Sequence, residues 1–242
     1  MLDLERDGDV FTLTMHEGEN RWNTTFVRAF SKVIDEIEAS EGPAALITTS
    51  ANEKFFSNGL DLEWMQSRSP QADDPGGDRK VFGAEFMTLM SRIITLSIPS
   101  VAAINGHAFG AGLMLALCHD ERLMREDRGY ACANEMQIGI LMPRPELALF
   151  RHKLPGHTFF ETVQLARRWT GPTAQAAGIV QHTASREELL SMARARAEAL
   201  APLGAHRKLF KKQKENIFGE NAAINGPHGA AYMLENSDQY PD

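Results

Sequence analysis

Two stretches decide the fold: "FFSNGLDLEW" at 55–64 and "INGHAFGAGLML" at 104–115. In each, apolar residues run into a short loop carrying glycine, and a helix-like run follows. In the first, Leu60 follows Gly59 and opens the short helix "LDLEWM". In the second, Ala111 sits between Gly110 and Gly112 at the start of "GLMLALC". A helix N-terminus offers amides with no partner inside the helix, and it carries partial positive charge. Glycine lets backbone approach a ligand closely. If the Leu60 and Ala111 amides converge, they hold one developing oxyanion, and plain side chains suffice because only the N–H is used. Taken singly, each loop reads first as a tight turn that needs glycine for geometry. The glycines at 106, 110 and 112 do not match G-x-G-x-x-G, so a dinucleotide site fits poorly.

Outward from these loops the chain alternates strands and helices. Leu2–Arg6 and Val10–Met15 read as a hairpin around "DGD". Thr25 is placed to cap a helix whose apolar residues Phe26, Ala29, Phe30, Val33, Ile34 and Ile37 recur at helical spacing. Ala44–Thr49 then reads as a strand, which suggests a β–α–β connection and partly parallel pairing. Ser67–Lys80 is polar and rich in proline and glycine, as a mobile loop would be. Beyond it come a helix at Val81–Leu96, a strand at Ser100–Ile104 and a helix at Gly112–Cys118. Strands at Glu121–Arg125 and Tyr130–Ala133 follow. From Glu146 onward the pattern is helical apart from a strand at Ile179–His182. The fold class is α/β, with a helical C-terminal region.

The composition excludes several classes. A net charge of −7 argues against a nucleic-acid or anionic-membrane surface, and 43% hydrophobic with 24% charged residues is ordinary for a soluble globular chain. No run approaches membrane-spanning length, and no apolar, positively charged presequence opens the chain. Cys118 and Cys132 lie in apolar segments and read as small core hydrophobes in a reducing compartment. "QYPD" at the C-terminus is not a peroxisomal S-K-L signal, so a cytoplasmic location is expected.

Together, "FFSNGLDL" and "INGHAFGAGLMLALCHD" resemble the two signature segments of the crotonase superfamily, the enoyl-CoA hydratase/isomerase family. "ALITTSANEKFFSNGLDLEW" and "NGHAFGAGLMLALCHDERLMREDRG" are most similar to its Δ3,Δ2-enoyl-CoA isomerases, and the similarity runs from about residue 5 to 200. The resemblance implies a spiral of repeated ββα units over residues 1–195, the acyl-CoA-binding catalytic core. It implies a helical oligomerisation segment over 196–242, and trimers or dimers of trimers. It implies an acyl-CoA thioester whose carbonyl oxygen lies between the amides of Leu60 and Ala111, with coenzyme A as part of the substrate and no cofactor beside it. Lys54–Ser57 match the backbone that receives the adenine, and Arg21 and Trp22 match residues along the CoA path. Phe55, Phe56, Ser57, Asn58 and Gly59 form the strand end and loop beside the substrate. Asp61, Leu62, Gly110, Met114 and Gly139 complete the substrate-lining positions.

The chemistry turns on carboxylates. The family places one three residues after Ala111, on the same helix face, where this chain has Met114. It places the other at Glu135 in "CANEMQIGI", and that one is present. By itself Glu135 would read as a solvated cap residue, and Met114 as an ordinary core methionine. Hydratases commonly use two carboxylates to position water, whereas one suffices to move a proton between C2 and C4. The pattern therefore implies a 3-enoyl-CoA to 2-trans-enoyl-CoA isomerase of fatty-acid β-oxidation with Glu135 as its base. Hydration and a non-catalytic acyl-CoA-binding protein are the alternatives. An apolar wall around Met114 is expected to raise the carboxyl's pKa.

His107 and His119 lie near the second loop without H-E-x-x-H or G-x-S-x-G, so they read as packed residues and no metal set is assigned. Asp61 and Asp120 read as structural. The five basic residues of "HRKLFKKQK" at 206–214 read as a solvated face, or else as attraction for CoA phosphates. "MPRPELALF" at 142–150 departs from the glycine-rich stretch usual in hydratases. Its prolines should stiffen a segment bordering the acyl pocket.

Overall fold

The computed structural model describes residues 1–67, 78–219 and 228–240. Most of the Ser67–Lys80 segment read as a loop lies outside the described residues. Chain order begins with β1 (Leu2–Asp7), β2 (Val10–Met15), α1 (Thr24–Ala39), β3 (Ala45–Ser50), β4 (Phe55–Ser57), α2 (Leu62–Ser67) and α3 (Asp78–Ile94). It continues with β5 (Ser100–Ile104), β6 (His107–Phe109), α4 (Ala111–Cys118), β7 (Glu121–Arg125), β8 (Ala131–Cys132) and α5 (Glu135–Ile138). The rest is α6 (Arg144–Lys153), α7 (Gly156–Val163), α8 (Gly171–Ala176), β9 (His182–Ala184), α9 (Leu189–Leu200), α10 (Arg207–Phe218) and α11 (Ala230–Glu235).

Two sheets share the strands. The larger has the order β1-β2-β3-β5-β7-β9, antiparallel only at the β1–β2 hairpin, and the smaller is the parallel set β4-β6-β8. Three times the chain lays one strand in the large sheet, the next in the small sheet, and then a helix. This is the ββα spiral of a crotonase fold. Alternation along the strands divides the core: Ile47, Val101, Ala103 and Leu123 face α9, while Leu46, Ala102, Ile104 and Met124 face the main cluster with α1, α3 and α4. The α1 face is tied down by Phe26, Phe30, Ile34 and Ile37, all fully buried.

Several expectations shift. Asn23, not Thr25, caps α1, its Oδ1 accepting the Phe26 N–H at 3.0 Å. The strand expected at Ile179–His182 begins only at His182, paired with Leu123. The apolar pair Ile179 and Val180 is buried, but their N–H groups close the end of α8 on Ala174 O, so that run is core without being ladder. Strands β4 and β6 carry no legible alternation because each is three residues long. The boundary expected at residue 195 falls inside α9. The 206–214 face is only partly solvated. Lys214 is buried on Asp120 at 2.8 Å, Lys211 pairs with Glu38 at 3.6 Å, and Arg207 donates to Ile37 O and Gly42 O.

Candidate active site

The two glycine loops meet where the small sheet hands over to α2 and α4. A Cβ built on Gly59 would stand 2.8 Å from Phe109 O and 3.7 Å from Ala111 N, so the loops are in direct contact. The Trp22 N–H donates to Gly59 O and the Asp61 N–H to Trp22 O, both at 2.9 Å. This bridge occupies one edge of the loop and leaves the Leu60 N–H pointing off the other. Among the described residues neither the Leu60 N–H nor the Ala111 N–H donates to any protein group. Ala111 is the first residue of α4 after Gly110, whose φ of 49° suits glycine. Leu60, by contrast, does not open a helix: α2 starts at Leu62, and Leu60 is held instead by its bridge to Trp22.

The loop is built on side-chain amides, that of Asn20 fully buried, to which the sequence assigned no role. Asn20 is fully buried with φ 51°, and its Nδ2 donates to Ser50 Oγ at 2.7 Å and Phe56 O at 3.0 Å. Ser57 Oγ donates to Asn20 O at 2.7 Å. Asn52 Oδ1 accepts the N–H groups of Lys54 and Phe55, and Asn105 Nδ2 donates to Ser50 O and Asn52 O. A cluster of asparagines around "TSAN" and "INGH" is a turn signal that pointed at them. The polar network holds the loop that carries the Leu60 amide.

Glu135 opens the one-turn helix α5. Its Oε1 lies 2.8 Å from where a Cβ on Gly110 would sit, which puts the carboxyl beside the start of α4. Its Oε2 is buried with no hydrogen-bond partner among the described residues. Burial raises the Glu135 pKa above the ordinary carboxylate value, opposed by its own backbone N–H. Met114 is fully buried in α4 and adds no polar atom. Gly139 ends α5 in the left-handed region at φ 70°, and the Ile140 N–H closes the turn on Glu135 O at 2.9 Å. Gly139 therefore shapes the Glu135 turn from the exposed side.

The other expected positions divide. Asp61 caps α2 by accepting the Trp64 N–H at 3.0 Å and is held by Asn23 Nδ2, as its structural reading anticipated. Leu62 is the first residue of α2 and half-buried. Asn58 Nδ2 donates to Glu19 Oε2 at 2.7 Å, and Arg21 pairs with the same oxygen, so these two fix each other at the loop rim. The Trp22 side chain is not on a surface path. It is fully buried among Phe26, Phe30 and Phe86, and what it brings to the site is backbone. Phe56 and Ser57 are likewise buried, while Phe55 is nearly so, with Lys54 Nζ 5.0 Å above its ring. Burial, then the charges of Lys54, Arg128 and Arg168, hold the His107 pKa below its usual value, which marks a positive rim beside β6.

His119 is packed, as expected. Its Nδ1 meets Leu115 O at 2.9 Å and its Nε2 meets Thr48 Oγ1 at 2.8 Å. Burial pushes its pKa down to about 4, so it is neutral. With the folded value depressed from 6.5, the unfolded chain binds more protons between the two, and stability is lost as pH falls through that window. The expected loss from this one group is on the order of 3 kcal/mol. Urea melts of His119→Gln between pH 6.5 and 4.5 should show a shallower dependence on pH than the parent; an unchanged slope would rule this out.

A family profile described as Enoyl-CoA hydratase/isomerase matches residues 5–237. The Arabidopsis thaliana protein "Enoyl-CoA delta isomerase 2, peroxisomal" is 31% identical over 93% of this chain and 95% of its own. "Carnitinyl-CoA dehydratase" of Salmonella enteritidis is 30% identical over 88% and 81%. Human mitochondrial delta3-delta2-enoyl-CoA isomerase superposes with TM-score 0.80 at 23% identity, covering 98% of this chain and 88% of the other, a likeness of fold. No helix among the described residues is long and apolar enough to cross a membrane. With a matching profile across nearly the whole chain and relatives at this identity, the protein belongs to the enoyl-CoA hydratase/isomerase family.

Proposed function

We propose that the protein is a Δ3,Δ2-enoyl-CoA isomerase that converts a 3-enoyl-CoA to the 2-trans-enoyl-CoA in fatty-acid β-oxidation. The observation that supports this reading is the contact between the two loops, whose Leu60 and Ala111 amides have no protein partner among the described residues, with the Glu135 carboxyl beside Gly110. Ionised Glu135 takes a proton from C2, and the C–H electron pair moves into a dienolate whose charge rests on the thioester oxygen. The two amides stabilise that charge. Glu135 then returns the proton to C4, the C2=C3 bond forms, and the enzyme is restored. Burial of the carboxyl brings its pKa toward working pH, which favours both halves of the transfer. The rim of Lys54, Arg128 and Arg168 is suited to the phosphates of CoA.

Hydration is the nearest rival, and the apolar Met114 weighs against it because water lacks a second acceptor on α4. Purified protein mixed with 3-hexenoyl-CoA is expected to show a rise in ultraviolet absorbance as the double bond conjugates with the thioester. Loss of the same signal from 2-hexenoyl-CoA would identify a hydratase instead, and silence with both would leave an acyl-CoA-binding protein. The reading also includes a homo-trimer or a dimer of trimers, supported by exposed Met136 and Ile138 on α5, Phe160 on α7, and Leu141 and Leu165 in the segments that follow those helices. Sedimentation velocity showing only a monomer would overturn that part.

A further inference from the structure

Glu135 stands on a single helical turn, and little in α5 itself can hold it there. One turn fixes several backbone torsions for few hydrogen bonds and is not stable alone. None of Glu135–Ile138 lies in the buried interior, and the Asn134 side chain makes no capping bond. Met136, Gln137 and Ile138 are exposed, so packing beneath the turn is slight. The Gln137 side chain nevertheless reaches back across it. Its Nε2 donates to Ala166 O at 3.3 Å, 29 residues away in the chain.

Ala166 is an unusual acceptor. It is buried, and its φ of 48° lies in the left-handed region, where glycine is the usual residue. It stands where α7 stops, the Arg167 N–H closing on Glu161 O at 3.1 Å. Its carbonyl takes a second donor, Cys132 Sγ at 3.5 Å. Cys132 in β8 accepts the Gly110 N–H on its own carbonyl at 2.9 Å, and Trp169 exchanges both backbone bonds with Ala131. The Ala166 carbonyl is therefore fixed to the strand that also holds Gly110. We propose that Gln137 is a positioning residue: by tying α5 to the Ala166 carbonyl it holds the Glu135 carboxyl beside Gly110, in place for both halves of the proton transfer. The role of Glu135 rests on the isomerase reading, while the position of its carboxyl can be read without turnover. With the tie cut, the turn loosens and water reaches the carboxyl, so the rise that burial gives its pKa shrinks. Cys132 and Glu146 are the titratable groups that sense the Glu135 charge, and the variants below leave both in place.

Gln137→Met keeps the length of the side chain and removes the donor. Because the side chain is exposed, melting temperature and sedimentation should match the parent. With 3-hexenoyl-CoA, kcat is expected to fall about three- to tenfold, the size of one hydrogen bond, with KM within about twofold. The acid limb of kcat should move to lower pH. Gln137→Lys, whose ammonium can reach the same carbonyl, should recover most of the turnover when measured well above that limb. Infrared titration of the Glu135 carboxyl, assigned by its loss in Glu135→Gln, should show the same downward shift in Gln137→Met with no substrate present. Parental kcat with an unmoved Glu135 titration in Gln137→Met would overturn the proposal. So would a loss of turnover that Gln137→Lys does not recover and that leaves the titration where it was. A parent that fails to isomerise would count against the reaction, and the infrared titration would still decide the position of the carboxyl.

Discussion

Glu135→Gln is expected to lower isomerase turnover by about 10³- to 10⁴-fold while leaving acyl-CoA affinity nearly unchanged. The amide keeps the size of the carboxyl beside Gly110, so the cavity is conserved and only the proton acceptor is removed. In the proposed mechanism Glu135 serves both halves of the transfer, and the apolar Met114 supplies no replacement base. The pH profile offers a second readout. The parent's turnover should fall on the acid side at a pH above the ordinary carboxylate range, since burial raises this group and protonation removes the base. That limb should be absent from whatever activity remains in the variant. Stopped-flow measurement of conjugation across pH, alongside titration with a saturated acyl-CoA, checks both points. Retained turnover would remove Glu135 from the mechanism.

Gly112→Ala should produce the second large effect. A Cβ at position 112 would lie 2.4 Å from Ser57 O and 2.8 Å from Ser57 Cβ, so the contact is with backbone and cannot be relieved by a rotamer change. The start of α4 must then move away from the strand end that carries the first loop, and the Leu60 and Ala111 amides separate. Losing one oxyanion donor costs about 10² to 10³ in rate, and turnover should drop by that amount with a lowered melting temperature. Gly83→Ala is the control. It lies in α3 with nothing within 4 Å of its Cβ, and alanine there should hold or raise stability by roughly 0.5–1 kcal/mol with activity unchanged. A folded Gly112→Ala protein with parental turnover would show that the two amides do not act together.

Much of this arrangement is legible in the chain itself. The amphipathic spacing of α1 and the apolar runs of β3, β5 and β7 follow from residues whose burial is set by local periodicity. The paired loops are equally legible, because glycine between a strand and a helix has a local cause. The misses have a common origin. Strands β4 and β6 are too short to show a period, and Ile179–Val180 is apolar for burial and not for pairing. Trp22 matches a position along the CoA path, yet its ring is consumed by the aromatic core. The same applies to Lys214, which a charge count assigns to solvent and the fold buries on Asp120.

By itself, then, the sequence determined the alternation of strands and helices and the two glycine loops, matters of residue type and near-neighbour spacing, while the ββα order and the significance of Met114 and Glu135 came through the family resemblance. Only the tertiary structure decided that the loops touch, that neither amide finds a protein partner among the described residues, and that the Glu135 carboxyl is shielded from water beside Gly110. Those facts depend on pairs far apart in the chain, such as Gly59 with Phe109 and Gly110 with Glu135, brought together by sheet pairing and packing. Ionisation is likewise a property of the assembled surroundings, because the water a carboxyl loses is displaced by side chains from other helices.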